Sequence, residues 1–268
     1  MGNLVHDDGS MHEVWSYVQK DARALAVTEP FLARFVSRVI LSAGSFQDAL
    51  INRLSVALAS AECPKEHYVE MLTSVLVRYP SVAFEAVQDL VAAHMRDPTC
   101  SSHLHAFLNF KGYHALQVHR VSHRLWQENK RELAFWPSNP ASAVFGADIH
   151  PAACFGVGVL LDHGSGIVIG ETAVVEDEVT ILQNVTLGGT GKSLGDRHPK
   201  IRKGAMIGAG ASVIGNVEVG SYSKVGAGSV VLQPVPAACT AVGVPARIVR
   251  RDPVHKPDVT LRSADTHS

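Results

Sequence analysis

The stretch Ile201-Arg-Lys-Gly-Ala-Met-Ile207-Gly-Ala-Gly-Ala-Ser-Val213-Ile-Gly-Asn-Val-Glu-Val219-Gly-Ser-Tyr-Ser-Lys-Val225-Gly-Ala-Gly-Ser-Val-Val231 decides the fold. Counting in sixes from Ile201 meets a branched aliphatic every time: Ile207, Val213, Val219, Val225 and Val231. Glycine follows directly at Ile207, Val219 and Val225. A six-residue period of this kind predicts a parallel β-helix of hexapeptide repeats, with three hexapeptides per triangular coil. The aliphatic faces inward on each strand, and glycine or small residues permit the corners. Neighbouring coils stack at strand spacing, about 4.8 Å.

The period extends toward the N-terminus with two interruptions. One run reads Ile169, Val175, Ile181, Leu187, and an earlier one reads Ile149, Phe155, Leu161, Ile167 before slipping by two residues. A larger break separates Leu187 from Ile201 and contains Gly188-Gly-Thr-Gly-Lys-Ser-Leu-Gly-Asp-Arg-His-Pro-Lys200. A solenoid throws such an excess out as a loop at a corner, where function often resides.

Upstream the grammar changes. Of 22 glycines, 18 lie between Gly146 and Gly243, while Trp15, Trp126 and Trp136 all precede that stretch. Pro137 and Asn139-Pro140 place the junction near residue 140, because a residue before proline is biased away from helix. The first half reads as helices. Ser10-Met-His-Glu13 has capping-box spacing ahead of Val14, Val18, Ala22 and Leu25. Pro30 opens a second helix carrying Phe31, Phe35, Val39 and Ile40; Pro64 and Ser81 mark further starts, and one long striped segment covers His103 to Glu128. Aromatic residues on these stripes are read as core. The expected organisation is α+β multidomain: an all-α domain over residues 1–140, a left-handed parallel β-helix over 141–251, and a mobile polar tail over 252–268.

Composition narrows the function classes. A formal net charge of −1 argues against nucleic acid or an anionic membrane as partner. No apolar run approaches the ~18 residues of a membrane span. Met1 to Asp8 lacks a basic stretch followed by an apolar one, so no secretory signal is predicted. Cys63, Cys100, Cys154 and Cys239 show neither C-x-x-C nor zinc spacing, which fits the scattered reduced thiols of a cytoplasmic protein.

Three polar groups interrupt the coils: Asp148-Ile-His150, Asp162-His163 and Asp196-Arg197-His198. Asp148 and His163, fifteen residues apart, are expected on adjacent coils, a carboxylate orienting an imidazole that then acts as general base. Arg197 suits a planar carboxylate, since its guanidinium engages both oxygens. Two rival readings come from other classes. His150, His163 and His198 would serve as zinc ligands in a gamma-class carbonic anhydrase, yet no His-x4-His pair is present and Arg197 adjoins one ligand. A non-catalytic trimeric scaffold leaves the polar clusters unexplained.

The stretches Asp148-Ile-His-Pro-Ala, Leu161-Asp-His, Gly170-Glu-Thr-Ala-Val, Val185-Thr-Leu-Gly-Gly-Thr-Gly-Lys, Gly195-Asp-Arg-His-Pro-Lys-Ile and Gly243-Val-Pro-Ala-Arg resemble bacterial serine acetyltransferases, as does Phe110-Lys-Gly-Tyr-His-Ala-Leu-Gln preceded by Arg96-Asp-Pro. The likeness runs from about residue 15 to 250. It implies acetyl transfer from acetyl-CoA to the hydroxyl of L-serine, as the entry to cysteine synthesis, with no metal. Carried over position by position, His163 is the general base and Asp148 its partner. Asp97 and Asp162 hold the serine ammonium, and Arg197 and His198 its carboxylate. Thr190, Gly191, Ala209 and Ala227 touch CoA in a groove between neighbouring β-helices. The resemblance further implies a dimer of trimers and feedback inhibition by L-cysteine. Many members end in an isoleucine that enters O-acetylserine sulfhydrylase; this chain ends Ala264-Asp-Thr-His-Ser268, so that complex is not carried over. Homoserine or a xenobiotic alcohol is the alternative acceptor.

Overall fold

The computed structural model describes residues 8–192 and 194–251; the tail expected over 252–268 lies outside them. Eight helices come first: α1 (Asp8–Thr28), α2 (Pro30–Val36) running into a π-helical turn at Ser37–Leu41, α3 (Phe46–Leu58), α4 (Lys65–Arg78), α5 (Ser81–Arg96), α6 (His103–Asn109), α7 (Lys111–Gln127) and α8 (Arg131–Phe145). Pro30 occupies the first turn of α2, where its missing N–H costs nothing. The side chains of Ser45 and Ser102 cap α3 and α6.

Four readings of this half change. Helix α1 already includes Asp8, so Ser10 lies inside it and does not mark its start. Phe31 is fully exposed, not core. The segment from His103 breaks at Phe110, whose extended backbone separates α6 from α7. Helix α8 continues through Pro137 and Pro140 to end at Gly146, whose left-handed conformation closes it. Each proline removes one ladder hydrogen bond, but Pro137 is itself buried and Ala134, Ala141 and Phe145 anchor the same helix, so packing outweighs the local preference. The helical half therefore reaches residue 145, five residues beyond the expected junction.

Helix α7 is buried almost all round, from Gly112 through Ser122. Its one buried guanidinium, that of Arg120, is fully engaged. The Arg120 guanidinium donates to both oxygens of Asp89 on α5, at 2.8 and 2.9 Å, and to the Gly156 carbonyl at 2.7 Å. Asp89 in turn accepts from Gln117 and from the Val159 N–H. This buried pair therefore joins α5 and α7 to the first coil of the β domain.

That domain is a parallel β-solenoid with three faces. The first sheet stacks β1 (Ala147–Ile149), β4 (Ile167–Ile169), β7 (Thr186–Gly188), β10 (Ser212–Ile214) and β13 (Val230–Val231). The second holds β2 (Cys154–Phe155), β5 (Val174–Val175), β8 (Lys200–Ile201) and β11 (Glu218–Val219). The third holds β3 (Leu160–Leu161), β6 (Thr180–Ile181), β9 (Met206–Ile207), β12 (Lys224–Val225), β14 (Cys239–Gly243) and β15 (Ala246–Arg251). All pairs are parallel except β14 with β15, a hairpin that covers the open end of the third sheet. The counted aliphatics Ile201, Ile207, Val213, Val219, Val225 and Val231 are all buried.

Both interruptions resolve into corners. Ile169, not Ile167, stands beside Ile149, so the two extra residues sit earlier than the count placed them, in the turn Asp162–Gly166 between the third and first sheets. The long insertion leaves after β7 and returns at β8, at the corner between the first and second sheets.

Candidate active site

One edge of the prism, where the third sheet turns into the first, carries Asp162 and His163. His163 has φ of +59°, and its side chain is 69% exposed, with Nε2 3.8 Å from the Asp162 carboxylate. The helical half braces this corner. Gly112, at the start of α7, lies so close to the Leu161 carbonyl that a Cβ there would overlap it, and the Lys111 ammonium donates to the Ser165 hydroxyl. Asp97 arrives from the C-terminal end of α5, where Arg96 donates to the Val179 carbonyl and the Thr180 hydroxyl of the solenoid. The Thr99 N–H and hydroxyl both donate to Asp97 Oδ1, at 2.8 and 2.7 Å, which leaves Oδ2 outward. Partial burial raises the Asp97 carboxyl, but the Thr99 bonds, with His163 and His105 nearby, outweigh it and hold the group below the usual carboxylate range. Asp97, Asp162 and His163 are thus brought together. His105, capped into α6 by Ser102, joins them and was not singled out by sequence.

The same edge continues upward through Gln183, Ala209 and Ala227, one per coil, tied by Gly210 N–H to the Gln183 carbonyl and Gly228 N–H to the Ala209 carbonyl. At ~4.8 Å per coil, Ala209 and Ala227 lie roughly 10 and 14 Å above His163. A thin, extended group fits such a rail of small residues.

The edge between the first and second sheets carries a different set. Arg197, returning from the insertion, pairs with Glu171 Oε2 at 2.7 Å. That guanidinium bond is the main reason the Glu171 carboxyl lies below its ordinary range. His198 is buried, its ring lying on Gly170, where any Cβ would overlap it. Burial first, then the Arg197 charge, push the His198 imidazole below its usual value, so it is neutral near pH 7. Asp148 points outward from β1 toward this set: its charge, with those of Glu171 and Arg197, acts on His150, whose ring meets Trp126 and Phe135 edge-on. Thr190 and Gly191 are exposed on the insertion at this second edge, apart from Ala209 and Ala227.

Within one chain, Asp148 and His163 are not joined by any hydrogen bond or ion pair among the described residues. The first coil is twenty residues long, with Asp148 beside Val168, so a fifteen-residue spacing leaves His163 short of that level. The proposed groups fall into two half-sites on the two edges of one face. Strand geometry, ~3.3 Å per residue, separates those edges by roughly 15–20 Å. His150 and His198 share one edge and His163 the other, and among the described residues no three His, Cys, Asp or Glu side chains are grouped to hold a metal.

The profile described as serine acetyltransferase, N-terminal, matches residues 14–118, and the bacterial transferase hexapeptide profile (six repeats) matches residues 198–233. The serine acetyltransferase of Salmonella typhimurium is 49% identical over 92% of this chain and 91% of its own length. Among solved structures, the Brucella abortus serine acetyltransferase in complex with coenzyme A superposes with a TM-score of 0.88 at 42% identity, covering 89% of this chain and 96% of that one. Soybean serine acetyltransferase complexed with serine gives 0.87 at 47% identity, covering 90% and 99%. A helical unit set on a six-residue-repeat solenoid, with polar groups at its corners, defines a hexapeptide transferase. The chain belongs to the serine acetyltransferase family.

Proposed function

We propose that the chain transfers the acetyl group of acetyl-CoA to the hydroxyl of L-serine, giving O-acetyl-L-serine and CoA, the first step of cysteine biosynthesis. The observation that carries the reading is the division of polar chemistry between the two edges. Carboxylates and an exposed imidazole line one edge, and a guanidinium with a neutral imidazole lines the other. A zwitterionic alcohol needs both sets. Asp97 and Asp162 hold the ammonium, Arg197 and His198 the carboxylate, and the hydroxyl is left facing His163. A serine hydroxyl is a weak nucleophile at neutral pH, so His163 takes its proton as the oxygen attacks the thioester carbonyl. The C–S bond then breaks and CoA leaves as the thiol, with no acyl-enzyme. The alanine rail above His163 carries the pantetheine arm, and Thr190 and Gly191 meet CoA from the other side.

Because one chain cannot close the 15–20 Å between its edges, the complete site forms between two copies, the first edge of one against the second edge of the next. Asp148 then orients His163 of its neighbour. Three such contacts close a trimer. Val27, Phe31 and Leu32, exposed around the α1–α2 turn, support pairing of trimers through the helical residues 8–145, which leaves acyl transfer to the solenoid. L-cysteine differs from L-serine by one atom and competes for the same pocket as feedback inhibitor. Four free cysteines fit a cytoplasmic location. No described helix is long and apolar enough to cross a membrane.

A thiol-release assay with acetyl-CoA tests the reading. L-serine should support turnover well above L-homoserine and chloramphenicol; equal or greater rates with either rival would overturn it.

A further inference from the structure

Thr172, at the corner after β4, touches the returning insertion at every polar atom it has. Its hydroxyl oxygen accepts from the backbone N–H of Arg197 at 3.0 Å and of His198 at 3.1 Å. Its carbonyl accepts from the Lys200 ammonium at 2.6 Å. Its own N–H lies 3.2 Å from His198 Nδ1, and its hydroxyl 2.9 Å from the same nitrogen. A backbone N–H donates and never accepts. Nδ1 must therefore be the acceptor, a bare nitrogen, and in a neutral ring the single proton sits on Nε2. The hydroxyl proton has two acceptors within reach, His198 Nδ1 and the Asp196 carboxylate that Lys200 also binds, but the tautomer follows from the N–H alone.

From this geometry we infer that Thr172 is the positioning residue of the acceptor-carboxylate half-site: its hydroxyl fixes the backbone of Arg197 and His198, and its N–H restricts His198 to the Nε2–H tautomer. The consequence is chemical. Arg197 brings donors only, and His198 in this tautomer also presents a donor, so the pair is matched to a carboxylate and mismatched to an ammonium or any other cation. The Nδ1–H tautomer would offer the substrate a lone pair and repel the carboxylate. Gly170 is part of the device, since only a residue without Cβ leaves room for the imidazole.

The inference rests on the proposed roles of Arg197 and His198, and its test separates the two. Thr172→Val keeps the shape and the N–H but removes the hydroxyl acceptor; Thr172→Ser retains it. In the full-length oligomer, Thr172→Val should raise KM for L-serine roughly tenfold, the effect of two lost backbone partners, with kcat and KM for acetyl-CoA within about twofold. Thr172→Ser should restore the wild-type value. ¹⁵N-histidine NMR of the wild-type protein, with the His198 signal identified by its loss in His198→Asn, should show an unprotonated Nδ1. An Nδ1–H signal overturns the inference whatever the variants do. So does a serine KM unmoved in Thr172→Val, or a fall in kcat alone, while Arg197→Ala raises KM. If Arg197→Ala leaves KM for serine unchanged, the carboxylate site itself is misassigned.

Discussion

His163 stands on a left-handed backbone at a two-residue slip in the repeat, held there by Gly112 and Lys111 of a neighbouring helix. A side chain with so few contacts of its own depends on that bracing for position, as a base must. His163→Ala is therefore expected to lower kcat by ~10²–10⁴-fold in the thiol-release assay, while a loss of only a few-fold would remove it from the role. Motifs made Asp148, Asp162, His163, Arg197 and His198 legible, because the three histidines between residues 146 and 251 each stand within two residues of an aspartate. Geometry was less legible. The fifteen-residue spacing suggested contact between Asp148 and His163, but the extra residues of the first coil move the level position to Val168. Glu171 and Thr172 carry no such mark, since their partners come from the far end of an insertion. The signal was present in Gly170-Glu-Thr, a corner facing that loop.

At the scale of elements, the repeat specified the strands β1 to β13 but not the closing hairpin β14–β15, whereas helix boundaries yielded to packing. Pro137 and Pro140 failed to end α8, and Phe110 broke a stripe that looked continuous, in both cases because tertiary contact outweighs a local preference of a few kcal/mol. The Asp89–Arg120 pair is the main polar link between the two halves, and neither residue stood out by sequence. Asp89→Ala should cost ~3–5 kcal/mol in urea unfolding, because the buried guanidinium keeps only the Glu85 carboxylate, and Gln117 and the Val159 N–H lose their acceptor. A cost below ~1 kcal/mol would mean that water reaches Arg120 freely. Burial also pushes His114 down to about 3 and His103, beside His94, down to about 4. Both are neutral when folded and titrate near 6.5 when unfolded, so the unfolded chain takes up more protons below that pH. Their stabilisation is complete above about pH 6.5 and falls as pH drops toward the folded values. Tm should decline from pH 7 to pH 5, and less so in His103→Gln; an identical slope in that variant would contradict the assignment.

Among the described residues, the polar groups of the proposed site stand on two separate edges of the solenoid. The sequence period announced the prism, the glycine shift its partner domain, and the family likeness its chemistry. On the proposed function, acceptor, base and acyl donor meet only where two prisms adjoin, which no count along one chain can reveal. Co-expression of differently tagged His163→Ala and Asp148→Ala chains, followed by isolation of oligomers bearing both tags, tests this directly. Each variant alone is expected to be crippled. Random mixing should restore roughly a quarter of the wild-type sites, those in which an intact His163 of one chain meets an intact Asp148 of the next. Mixed oligomers that remain as inactive as either parent would place both residues in the same chain's site and contradict the account.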